Sequence, residues 1–283
     1  MIPGDEFGIE TARCRKASKC RAALRGSSGK VPPVLLAAAA LAAAILPGCA
    51  IAPECGPCGE VFLGRSVEGR PIRGYVIGKG PETLLLLGVI HGNEPDGAPL
   101  LEKLAARLRQ RPHELEEKRV IIVPVANPDG LARKTRVNAR GVDLNRNFPA
   151  ENWAAGVKHG EHPSSEPETR AILKILRSNE PTRILAVHSP LHCVNYDGPA
   201  EEIARELAAA SGYPLKESIG YPTPGSLGSY AGEDLGIPTI TLELPRARPT
   251  PEHVELLTEA LAVFVVSGGS AGEATLSRRT PAP

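Results

Sequence analysis

Leu84-Leu85-Leu86-Leu87-Gly88-Val89-Ile90-His91-Gly92-Asn93-Glu94 is the stretch around which this chain is organised. An unbroken apolar run ended by a glycine reads as a strand buried on both faces. Such a strand delivers His91 and Glu94 to its carboxyl end, where open α/β sheets place their ligand sites. A His-x-x-Glu pair leaving a strand is two thirds of a catalytic zinc site. Those sites take three protein ligands and leave the fourth position to water.

Downstream, the pattern alternates. Helical spacing over residues 98–108 is followed by an apolar strand at 119–125. Ser165-Glu166-Pro167-Glu168 reads as a capping box with proline in the first turn, opening a helix through Leu176. Arg183–His188 is a further strand, 201–210 a helix, 237–244 a strand and Pro251–Val266 a closing helix. Upstream, Gly64 to Ile72 reads as strand, turn and strand, leading into Tyr75-Val76-Ile77. The expected fold is α/β: a single domain at 61–267 with a mostly parallel mixed sheet flanked by helices on both faces. The tail 268–283 is rich in Gly, Ser and Pro and reads as disordered.

The 283 residues suffice for one sizeable domain plus tails. A formal charge of +1 leaves no electrostatic footprint for nucleic acid. The charge is unevenly spread: seven Lys and Arg against three acids through Gly48, and 26 against 29 from Cys49 onward. The basic excess belongs to a leader, 1–48, whose uncharged apolar core at 34–46 is too short for a comfortable span and suits a signal peptide. Leu46-Pro47-Gly48-Cys49 closes it and resembles the lipobox of bacterial lipoproteins. That likeness makes Cys49 the lipid-modified first residue of the mature chain. The linker 49–60 carries Cys55-Gly56-Pro57-Cys58, the letters of a thioredoxin redox site without the flanking strand and helix that lower the first thiol's pKa. A local disulfide in an oxidising compartment is the expected use.

Further chemistry gathers at strand ends: Asn127-Pro128-Asp129-Gly130, the block from Arg136 through Asp143-Leu144-Asn145-Arg146-Asn147-Phe148-Pro149, His188-Ser189-Pro190, and Glu243 in Thr239-Ile240-Thr241-Leu242-Glu243-Leu244-Pro245. His188 completes the ligand count begun by His91 and Glu94. A carboxylate such as Glu243 inside an apolar strand is costly unless it has a partner or a task.

On these residues the sequence, from about Gly64 to Val266, resembles the zinc carboxypeptidase (carboxypeptidase A-like) family. Within the family it is most similar to bacterial murein tripeptide amidases, which cut the γ-D-glutamyl to diaminopimelate bond of peptidoglycan peptides. The segment Gly220-Tyr221-Pro222-Thr223-Pro224-Gly225 carries part of that narrower likeness.

The resemblance implies one Zn2+ held by His91, Glu94 and His188. It makes Glu243 the general base acting on the attacking water, and Arg136 the arginine that meets the oxyanion, with Arg133 as a competing alignment. Asn145 and Arg146 match the pair that binds the substrate's free terminal carboxylate. Asp143 matches the acid that orients the first histidine. Tyr221 lies where digestive carboxypeptidases keep a mobile tyrosine, with spacing one residue different. Asn93 replaces an arginine of those enzymes and removes one carboxylate contact.

The implied activity is hydrolysis of a peptide bond near the C-terminus of murein peptides, outside the cytoplasmic membrane and tethered through Cys49. The alternative placement is the cytoplasm. Two other functions compete. One is a zinc deacylase of the succinylglutamate desuccinylase and aspartoacylase kind, disfavoured by Asn127-Pro128-Asp129-Gly130 and Phe148-Pro149. The other is a lipoprotein that binds wall peptides without cutting them, for which Glu243 would be superfluous.

Overall fold

The computed structural model describes residues 59–267. The apolar leader core, Cys49, the Cys55/Cys58 pair and the tail 268–283 lie outside the described residues. The strands, in chain order, are β1 (Gly59–Arg65), β2 (Pro71–Gly78), β3 (Glu82–Leu87), β4 (Lys118–Val123), β5 (Arg183–His188), β6 (Leu191–Asp197), β7 (Leu215–Lys216) and β8 (Thr239–Pro245). The helices are α1 (Gly97–Gln110), α2 (Pro128–Arg133), α3 (Pro167–Asn179), α4 (Glu201–Ser211) and α5 (Pro251–Val266). One eight-stranded sheet runs β1-β2-β4-β3-β5-β8-β6-β7. Its centre, β4-β3-β5-β8, is parallel, whereas β1/β2, β2/β4 and β6/β8 pair antiparallel. This is the mixed, mostly parallel sheet expected from the sequence.

The leucine run behaves as a doubly buried strand. Leu84 and Leu86 pack with α1, α4 and α5 on one face. Leu85 and Leu87 pack with α3, Leu144 and Phe148 on the other. Burying four leucines at about 2 kcal/mol each makes β3 the anchor of both layers. The central strands are parallel, so their carboxyl ends share one edge, and the chemistry collects there.

The first described strand starts at Gly59. Two local expectations differ. The Ser165 capping box does not form: α3 is capped at Glu166 without a side-chain bond, and the Ser165 hydroxyl donates to Glu166 Oε1 at 2.8 Å. Glu168, the other half of that box, turns inward and accepts the Val67 N–H at 3.1 Å. Strand β6, with His192 and Cys193, was not legible as a strand. It exists because Cys193 to Asp197 pair with Glu243 to Thr239 of β8.

Candidate active site

Past Leu87 the chain leaves the sheet under constraint. Val89, a β-branched residue, has φ of +47°, a conformation that persists only when its surroundings enforce it. Here Ala126 N–H donates to Gly88 O at 3.0 Å and Asn127 N–H to Val89 O at 2.9 Å. The Asn127 amide adds a bond to Ile90 O while its own oxygen caps α2 through Gly130 N–H at 2.8 Å. A side chain at Gly92 would bring a Cβ within 1.9 Å of the Gly130 carbonyl carbon, so only glycine lets the loop lie against α2. Asn127-Pro128-Asp129-Gly130 is therefore a helix start that locks the His91 loop. Asp129 accepts from the Ser66 hydroxyl, Glu68 N–H and Arg70, and so ties down the β1–β2 turn.

The loop brings His91 and Glu94 against His188, the last residue of β5. His91 Nδ1 lies 2.9 Å from Glu94 Oε1, His188 Nδ1 lies 2.9 Å from Glu94 Oε2, and the two Nδ1 atoms are 3.1 Å apart. All three side chains are buried, and their donor atoms lie within 4.8 Å of one another. Ligands at about 2.0–2.1 Å from a tetrahedral zinc sit about 3.3 Å apart, so the set needs only a slight opening to hold one. His91 Nε2 faces Asp143 Oδ1 at 2.9 Å. An Nε2–H donated there leaves the Nδ1 lone pair for a metal, the usual arrangement of a carboxylate behind a ligating histidine.

The electrostatics favour ionised carboxylates at the cluster. Burial disfavours ionisation of Glu94, but hydrogen bonds from His188 and His91 outweigh it and hold the carboxyl well below the usual range. Burial also opposes ionised Asp143, and His91 with Arg136 overcomes it in the same direction. Burial disfavours a charged His91, yet Asp143 and Glu94 raise its pKa. Two imidazole nitrogens crowded onto one buried carboxylate are the donor set of a cation site.

Glu243 stands beside His188 across the β5–β8 ladder. It is buried and accepts the Leu191 N–H at 3.2 Å through Oε2. Burial pushes its pKa up, only partly offset by His188 and the Leu191 N–H. Cys193 is its cross-strand partner, a free buried thiol whose pKa burial raises. That environment disfavours a thiolate.

Arg136 reaches the donor cluster: Nε donates to Asp143 Oδ2 at 2.9 Å and Nη1 to Glu94 Oε1 at 3.2 Å. Arg133 turns away to Glu68 and the Ala139 carbonyl. The left-handed Lys134 at the end of α2 separates the two directions.

Asn145 and Arg146 occupy a single 3-10 turn begun by Asp143. Asn145 Oδ1 accepts Leu227 N–H at 2.9 Å. Arg146 bonds the Asn145 carbonyl at 2.6 Å and, among the described residues, forms no ion pair. Burial lowers its pKa, eased by Asp143 and deepened by Arg136. Tyr221 is exposed nearby and makes no hydrogen bond to this pair. The sequence reading missed the backbone donors Ser189 N–H, on Glu94 Oε2, and Leu191 N–H, on Glu243; main-chain groups leave no residue-type signal.

The profile of the family described as zinc carboxypeptidase matches residues 58–202. Murein peptide amidase A of Escherichia coli K12 is 35% identical over 206 residues, which span 67% of this chain and 82% of that protein. The Vibrio campbellii protein of the same name is 32% identical over 201 residues, 64% of this chain and 77% of that one. The crystal structure of a murein-tripeptide amidase from Escherichia coli O157 superposes with a TM-score of 0.62 at 31% identity, covering 75% of this chain and 94% of its own. Bovine thrombin-activatable fibrinolysis inhibitor, at 23% identity and a TM-score of 0.62, shares the fold.

Proposed function

The chain belongs to the zinc carboxypeptidase family and is a peptidase hydrolase, and from that premise we propose that it is a murein peptide amidase. On this reading it holds one zinc per chain and cuts the γ-D-glutamyl to diamino acid bond of wall peptides with a free C-terminal carboxylate. The observation that carries the reading is the buried His91–Glu94–His188 donor set with Glu243 beside it and, nearby, Arg146, which forms no ion pair among the described residues.

Bound to those three residues, zinc supplies Lewis acidity toward a carbonyl and lowers the pKa of a coordinated water to about 7. Glu243 takes a proton from the attacking water at its carboxylate and returns it to the leaving amine. Arg136, already against the cluster, meets negative charge as it develops on the scissile carbonyl oxygen. Arg146 and the Asn145 amide hold the terminal carboxylate, which confines cleavage to the last bond of the peptide. Asp143 keeps His91 in its ligating tautomer and Arg136 in place. The names of the relatives favour murein over other peptides as substrate. A binder that does not cut would have no use for Glu243, and a deacylase would act on small acylated amino acids.

Hydrolysis of purified murein tripeptide, compared with the same peptide amidated at its C-terminus and with acylated amino acids, tests the reading. Cleavage of the free-acid tripeptide, with diamino acid released, is the expected result. Cleavage of the acylated amino acids alone would establish the deacylase, and tight binding without turnover would establish the binder.

The placement rests on the sequence. The proposed leader ends at Gly48 and leaves Cys49 as the first residue, and a multiply acylated cysteine would anchor the chain firmly. The nine residues 50–58 would reach about 30 Å at full extension. Cys49→Ser should release the protein from membranes with its activity on soluble peptides intact. Wild-type protein found wholly in the soluble cytoplasmic fraction with its leader uncleaved would overturn the anchor.

A further inference from the structure

The segment that carries Arg136, Asp143, Asn145 and Arg146 has no regular structure from Thr135 to Asp143, yet it must aim four polar side chains at one spot. Its middle is a closed turn: Asn138 N–H donates to Val142 O at 2.8 Å and Gly141 N–H to Asn138 O at 3.1 Å. The Asn138 side chain fills that turn from inside. Its oxygen accepts Arg140 N–H and Val142 N–H at 3.0 and 3.1 Å. Its amide donates to Glu166 Oε2 at 2.7 Å and to Glu168 Oε2 at 3.2 Å. Two donors and two acceptor contacts exhaust an asparagine.

All three residues are buried, and among the described residues the pair's one ion-pair partner is Arg140, 3.6 Å from Glu166. Burying two carboxylates around one amide is an expensive way to fill a core, where apolar side chains would stabilise more. What the arrangement supplies is position. Glu166 and Glu168 stand at the first turn of α3, and Glu168 also holds Val67 of the β1–β2 turn. The active-site segment is thereby pinned to a helix and a hairpin that do not themselves reach the metal donors.

We propose that Asn138, gripped by Glu166 and Glu168, is the positioning residue that sets Arg136 and Arg146 at the spacing a terminal carboxylate and a developing oxyanion require. The proposal rests on the carboxylate-binding role of Arg146 given above. It is tested on the full zinc-loaded enzyme by the ratio of kcat/KM for a free-acid peptide to that for its C-terminal amide, with zinc content and Tm measured alongside. In Asn138→Ala the ratio should fall about 10- to 100-fold, since small misplacements of binding groups cost that much. Zinc should remain at one per chain.

Glu166→Gln keeps the shape of the clamp and should shift the ratio in the same direction by less. It decides the question if Asn138→Ala does not fold. A lowered Tm with the ratio within twofold of wild type in either folded variant would make Asn138 a structural residue only and overturn the proposal. A wild type with no preference for the free acid would instead overturn the carboxylate reading, and the positioning role with it.

Discussion

Two clusters of titratable side chains contrast within this one domain. At the carboxyl ends of β3, β5 and β8, the His91, Glu94, His188 and Asp143 side chains are 3–8% exposed. Along the α1–α5 seam, Lys103 pairs with Glu255, and Arg107 with Glu259 and Glu114, at side-chain exposures of 13–59%. The seam is complete in itself: each charge has its opposite, and water screens what is left. The strand-end cluster instead gathers two imidazole nitrogens onto one carboxylate in a dry place. A buried donor set of that kind marks where a metal is expected. The contrast can be broken at either end.

The largest effects belong to the cluster. His188→Ala should abolish both tight zinc binding and turnover, because two remaining ligands seldom hold the ion. Metal analysis after zinc supplementation checks this, and a full equivalent retained by the variant would refute the ligand assignment. Glu243→Gln should keep the zinc and lose about 10²- to 10⁴-fold in turnover. Near-normal turnover would mean that another group takes the proton.

Next in size are the two arginines, which differ in what they face. Among the described residues Arg146 has no carboxylate of its own, so Arg146→Ala should chiefly raise KM. Arg136 already touches Glu94 and Asp143, so its added role would come with charge that forms late, and Arg136→Ala should chiefly lower kcat. Losses of about 10- to 100-fold in kcat/KM are expected for each. Steady-state kinetics with the two signatures exchanged would reverse the assignment.

How far this could be read in advance depended on where each residue stands. His188 and Glu243 interrupt or end apolar strands, and the His91 pair ends the leucine run, so a polar side chain in the wrong company was visible in the sequence. Strand β6 was not, because Asn195 and Asp197 break its pattern and its pairing with β8 is purely tertiary. Arg133 and Arg136 are three residues apart and equivalent on paper; the left-handed Lys134 between them decides which reaches the donors. The capping box at Ser165 was a sound local pattern that tertiary partners overrode, since Glu168 bonds to Val67 and Asn138 instead. Local chemistry at strand ends is written in residue type, whereas the long-range brace behind it is not.

The smallest expected effect lies in the seam. Arg107 bonds Glu259 through Nε and Nη2 at 2.7 and 2.8 Å and also pairs with Glu114, linking α1 to α5 and to the turn that follows α1. It lies in the last turn of α1, where a cation also favours the helix dipole. Among the described residues its carboxylate partners pair only with this arginine and, weakly, with Arg111. Arg107→Ala should therefore cost about 1 kcal/mol or less, because both acids can turn to water. For a domain of this size that is a Tm shift of about 2–4 °C. The shift should shrink in 1 M salt, where the Debye length falls to about 3 Å, and kcat/KM should stay at the wild-type value. A salt-independent loss of several kcal/mol would show that the seam is as dry and interdependent as the strand-end cluster, and the contrast between the two regions would fail.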